Sequence, residues 1–203
     1  MAGQDWIVTP TGDCHPLESV PYATSGQQPY RLYRFLTDLE DILSTWSDDA
    51  ERLRRICPIL RRLLDQSPWL HSTFLPPDPK LGWSVMMLYD EPDFPLTLQT
   101  VVWDPGSLSP IHNHGTWGVV AILSGQERNT FWRRTPTPDQ ADAITQAGEQ
   151  RLVPGDILAL LPEAIHQVRV EGDQPTLSVN LYGQTDFSRR WQFDPDHSTA
   201  QLF

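Results

Sequence analysis

The feature that most constrains this chain is its punctuation after Leu75. Beyond the run PPDPKLG, short stretches rich in β-branched and aromatic residues alternate with turn formers. The stretches are 83–89, 96–103, 118–123, 127–133, 150–152, 156–161, 166–170 and 176–182. Between them stand Glu91-Pro92, Pro105-Gly106, Ser124-Gly125, Pro136 to Pro138, Pro154-Gly155, Pro162 and Gly172-Asp173. Strands this short, at intervals of about 8–12 residues, predict an all-β antiparallel sandwich or barrel.

The segment before it has a different period. Leu32, Phe35, Leu36, Leu39, Ile42, Leu43 and Trp46 recur at helical spacing, which predicts an amphipathic helix ending near Ser47. Asp48 and Asp49 can start a second helix through Leu53, Ile56 and Cys57, and Pro58 is expected to split it from a third piece over 59–65. Residues 1–28, with Pro10, Gly12, Pro16, Pro21 and Gly26, read as an irregular arm on the surface. The expected organisation is thus an arm (1–28), N-terminal helices (29–75) and a β domain (76–203) whose last twenty residues form an outer tail.

Composition narrows the partners. Twenty-six acidic against 15 basic residues give a net charge of −11, which repels phosphate backbones and argues against nucleic acid. No apolar run approaches the ~18 residues that span a bilayer, and the first sixteen residues lack the cationic start and apolar core of a signal peptide. Cys14 and Cys57 fall in dissimilar segments, so reduced thiols in a cytoplasmic protein are expected. A chain of 203 residues buries enough surface to fold without disulfide or metal.

Chemistry concentrates in one stretch, Asp104 to Gly118. His112 and His114, two apart on a strand, project to one face, close enough to share an ion that imidazole suits: Fe, Zn, Cu or Ni. By itself the pair also fits two exposed histidines. Downstream, Pro154-Gly155-Asp156 leads to His166, a candidate third ligand or a core histidine.

These residues resemble the two motifs of the cupin superfamily. Gly106 precedes His112 with five residues between them, Gly125 stands eleven after His114, and Gly155 eleven before His166. The resemblance implies a double-stranded β-helix in which His112, His114 and His166 meet on one metal inside the barrel. Where cupins usually place a fourth ligand, a Glu, this chain has Gly118. More specifically, Trp103 to Gly106, Pro110-Ile111-His112-Asn113-His114, Thr116-Trp117-Gly118, Ser124-Gly125, His166 and Ser178 through Gly183 resemble the bacterial branch of the cysteine dioxygenase (thiol dioxygenase) family. The likeness covers most of 83–185 and implies one Fe(II) per chain, used with O2 to oxidise a small thiol to its sulfinate. Zinc or nickel is compatible with the same ligands in a purified sample.

Carried over residue by residue, the resemblance gives Tyr182 the place of the active-site tyrosine, and Gly118 the place of a cysteine that is cross-linked to it in some animal members. Two departures stand out. Asn180 replaces a histidine two residues before that tyrosine. The strand that should supply an Arg for a substrate carboxylate offers Met86 instead, leaving Arg128 as the nearest replacement, although an exposed strand arginine fits it equally. Trp103, Trp117 and Trp132 flank the region, and Trp117 is expected to line the pocket. Strand parity puts Ser178, Asn180 and Tyr182 on one face, around the metal, with Leu177, Val179 and Leu181 buried behind. The alternatives are another metal-dependent cupin enzyme or a non-catalytic ligand-binding cupin. As oligomer, either a monomer or a homodimer fits.

Overall fold

The computed structural model describes residues 3–20, 29–92, 94 and 96–203. Its helices are α1 (Leu32–Thr45) and α2 (Asp49–Gln66), followed by a 3₁₀ turn (Pro68–Ser72). Thirteen strands make up the rest: β1 (Asp5–Val8), β2 (Cys14–Pro16), β3 (Trp83–Asp90), β4 (Leu96–Trp103), β5 (Ile111–His112), β6 (Gly118–Ser124), β7 (Glu127–Arg134), β8 (Ile144–Leu152), β9 (Ile157–Leu160), β10 (Ile165–Val170), β11 (Thr176–Gly183), β12 (Trp191–Asp194) and β13 (Thr199–Leu202). They form a seven-stranded sheet, β2-β1-β9-β6-β11-β4-β3, and a six-stranded sheet, β13-β12-β5-β10-β7-β8. The architecture is the expected all-β sandwich with N-terminal helices.

Strand parity divides the interior into compartments. Leu177, Val179 and Leu181 of β11, with Val119 and Ala121 of β6, turn to the outer face of the large sheet and bury against Phe35, Leu39, Leu53 and Ile56 of the helices. Val120, Ile122, Leu158 and Leu160 turn inward and meet Phe131 and Leu152 of the small sheet. A sheet covered on both faces reads as a continuous apolar run rather than an alternating one, hence GVVAIL in β6 and ILAL in β9. No helix among the described residues is long and apolar enough to cross a membrane.

Three expectations need correction. The arm is not irregular throughout: β1 pairs in parallel with β9, and β2 closes the sheet edge beside it. Ile7 enters the helix-side core and Val8 the core between sheets, so β1 shows no alternation to read. Residues 21–28 of that arm lie outside the described residues. Second, Pro58 does not split the helix, because the carbonyl of Arg54 that loses its intrahelical donor accepts from Val20 N at 3.0 Å. Asp48 caps the same helix, accepting from Glu51 N at 2.9 Å. Third, the C-terminal tail is the hairpin β12–β13, and β12 pairs with β5. Phe193 of β12 buries with Ile111, Ile144 and Ile165 on the outer face of the small sheet.

Candidate metal centre

His112 and His166 face each other in register on β5 and β10, and His114 follows just beyond the end of β5. Their ring centroids lie 4.8 to 5.2 Å apart, and one ligand nitrogen from each falls within 4.8 Å of the others. Burial is the main cause that pushes His112 down to about 4 and holds His114 and His166 well below the ordinary histidine value. All three imidazoles are therefore neutral at pH 7, with lone pairs available.

Neighbouring groups fix which nitrogen points inward. His112 Nδ1 donates to the Pro110 carbonyl at 3.0 Å, and His166 Nδ1 donates to Asn129 Oδ1 at 2.9 Å. Each leaves Nε2 aimed at the centre, the usual outer partnership of a metal-bound histidine. His114 Nε2 lies 3.0 Å from His166 Nε2. Two nitrogens bound at right angles to an ion at ~2.1 Å stand ~3.0 Å apart, so the observed spacing fits a shared ion. This donor set could hold iron, zinc, nickel or copper.

Behind His166 runs a buried chain. Asn129 Nδ2 donates to Glu127 Oε1 at 2.9 Å. Burial pushes the Glu127 carboxyl up to about 7, opposed by that single hydrogen bond. The Tyr182 ring stacks on His114 at 4.6 Å, and its hydroxyl accepts from Asn180 Nδ2 at 3.1 Å. Burial raises Tyr182 to about 12, so the phenol keeps its proton and can donate. Gly118 makes room for it: a Cβ there would stand 2.8 Å from two carbons of the Tyr182 ring.

Ser178, Asn180 and Tyr182 line one cavity with the three histidines, the arrangement strand parity predicts. Three other candidates sit elsewhere. Met86 is on the opposite face of β3 from Trp83, Val85 and Met87, which line the cavity. Trp117 precedes the inward Gly118 and so joins the buried core beneath the helices. Arg128 lies between inward Glu127 and Asn129, points outward, and pairs with Glu171 at 2.7 Å and with Glu149.

The cation in the cavity is Arg190, which the sequence reading missed. Its Nε is buried with no hydrogen-bond partner among the described residues, and its guanidinium lies 4.6 Å over the Phe203 ring. Burial lowers its pKa, yet an arginine keeps its charge at neutral pH. Asn113, between the two histidines, sets its position. Asn113 Oδ1 accepts from Trp191 N at 2.7 Å, and Nδ2 donates to Arg189 O at 2.8 Å. Glu127 and Asn129 were missed too, although their two-residue spacing beside inward Phe131 was a readable signal. Nothing local marks Arg190, 76 residues after His114.

No protein-family model matches the sequence. Solved structures similar to this chain include a cupin superfamily protein from Desulfitobacterium hafniense, at 16% identity over 57% of this chain and 87% of that one, with a TM-score of 0.43. KdgF from Halomonas sp. is similar at 18% identity over 54% of this chain and 86% of that one, with a TM-score of 0.41. An oxalate oxidase in complex with glycolate is similar at 11% identity over 57% of each chain, with a TM-score of 0.42. At such identities the likeness concerns architecture alone. The chain itself is an all-β sandwich of two apposed sheets carrying two N-terminal helices, with three histidines gathered inside it.

Proposed function

We propose that the protein is a thiol dioxygenase that uses one Fe(II) and O2 to convert a small acidic thiol to its sulfinate. The observation that carries the reading is the shared cavity of three neutral imidazoles, a protonated Tyr182 and an Arg190 without an acidic partner among the described residues. Loss of the usual cupin Glu at Gly118 leaves the ion its full positive charge, which favours an anionic co-ligand such as a thiolate.

The reaction balances as RSH + O2 → RSO2⁻ + H⁺, sulfur giving up the four electrons that O2 accepts. Fe(II) held by His112, His114 and His166 would supply the redox step between O2 and sulfur. The chain's own residues do the rest. Arg190, which lines the cavity, binds the substrate carboxylate. Tyr182 Oη donates a hydrogen bond to the reacting atoms, and Asn180 holds that hydroxyl in place. Val120 and Val168 wall the cavity and help exclude water.

The test is an oxygen-electrode screen of the Fe(II)-loaded protein against 3-mercaptopropionate, cysteine and cysteamine, with sulfinate measured by mass spectrometry. Uptake of one O2 per sulfinate, with acids preferred over cysteamine, is expected. Absence of uptake on every thiol would sink the reading.

A further inference from the structure

Six of the thirteen large apolar side chains exposed among the described residues line this one cavity: Leu81, Trp83, Met87, Leu108, Phe187 and Phe203. Single exposed hydrophobes are ordinary, but a cluster around one concave site marks a recognition surface. Trp83 and Trp103 stand in register on β3 and β4 with ring centroids 5.6 Å apart and planes tilted by 30°, forming a broad aromatic wall. The cavity measures about 670 Å³, within the ~300–1,000 Å³ of pockets that take drug-sized ligands. A three-carbon thiol held at the imidazoles would leave this wall and rim to water.

Charge and apolar surface are segregated. The cation Arg190 and the polar groups of Asn180 and Tyr182 are wholly or partly buried, whereas the exposed lining is apolar. We infer that the site is built for an amphipathic acid thiol, whose carboxylate meets Arg190 and whose alkyl or aryl body, at least the size of a phenyl ring, lies on the Trp83–Trp103 wall. This rests on the thiol-dioxygenase reading for the sulfur, while the acid and apolar parts rest on the cavity itself.

The experiment separates those two supports. Isothermal titration of the metal-loaded protein under argon compares 3-phenylpropanoate with propanoate, neither of which carries sulfur. Burying the ring predicts binding about 10–100-fold tighter for 3-phenylpropanoate. Trp83→Ser should bring the ratio within about threefold. Met87→Ser should narrow it independently, and since both side chains are exposed their replacement spares the core. Oxygen uptake should then favour 2-mercapto-3-phenylpropanoate over 3-mercaptopropionate by at least about tenfold in kcat/KM. Equal binding of the two acids overturns the inference, whether or not thiols are oxidised. Equal binding in a chain that runs as a dimer overturns it as well, and assigns the rim to a second copy. Preferential binding of 3-phenylpropanoate without oxidation of any thiol upholds the amphipathic pocket and removes the dioxygenase reading.

Discussion

Glu127→Gln should make the protein more stable at pH 8 while changing little at pH 5. Glu127 is 3% exposed, receives one hydrogen bond from Asn129, and has its carboxyl pushed from 4.5 to about 7 by burial. Between those values the native carboxyl keeps a proton that the unfolded chain has lost, so stability falls as pH rises through that window. A shift of about 2.5 units at ~1.4 kcal/mol per unit is worth about 3 kcal/mol when fully developed, of which about 2–3 kcal/mol falls between pH 5 and 8. Gln keeps the acceptor for Asn129 and cannot ionise, so it escapes this loss. The buried histidines also titrate, in the opposite sense, since pKa values held below 6.5 add stability as pH rises from about 4. They are common to both proteins and cancel in the difference. For a chain of this size ~1 kcal/mol moves Tm by about 2–4 °C, so the Tm gap between variant and parent should widen by roughly 5–10 °C from pH 5 to pH 8. Differential scanning calorimetry in chelator reads it directly. Parallel Tm curves for the two proteins across that range would refute the buried, unpaired placement of Glu127.

Tyr182→Phe should cost about 1 kcal/mol, because Asn180 Nδ2 loses its acceptor, and lower kcat by ~10–1,000-fold with metal content unchanged by mass spectrometry. His114→Ala should abolish tight metal binding while circular dichroism stays native, since the core clusters do not include it. Arg128→Ala should leave KM unchanged, as its guanidinium pairs with Glu149 and Glu171 outside the cavity. Asn113→Ala removes both side-chain hydrogen bonds that flank Arg190, and should raise KM for acidic thiols at least about tenfold, more than it lowers kcat.

The sequence was most legible where one residue's environment repeats at fixed spacing. Strands β3, β4, β6, β7 and β11 lie within a residue or so of the apolar stretches between turn formers, because Pro and Gly end a ladder on their own account. β8 was underestimated, Ile144–Leu152 against an expected 150–152, because it is an edge strand rich in exposed polar residues. Pro58 by itself argues for a break in α2, and only the distant Val20 N–H explains why the helix continues. For α2 the missing information lay in a partner far along the chain, and for β8 in its place at the sheet edge.

The site follows the same division. The three histidines and Tyr182 could be placed from spacing, resemblance and parity, since each sits on or beside a strand whose face the neighbouring apolar residues determine. Parity also had the means to reject two candidates. Arg128 alternates with Glu127 and Asn129, and Trp117 with Gly118, so a face assignment extended by one residue turns each away from the cavity. Arg190 is different in kind. Its place depends on β12 lying beside β5, a pairing of residues some 80 apart, and on Asn113 binding the peptide groups on either side of it. Asn113 falls between two metal-candidate histidines and is 1% exposed, so one short segment positions both the imidazoles and the cation across from them. The backbone on either side of Arg190 is thereby tied to the segment that carries His112 and His114. Such a tie is how a C-terminal hairpin, unmarked by any local motif, becomes part of a centre whose histidines lie earlier in the chain.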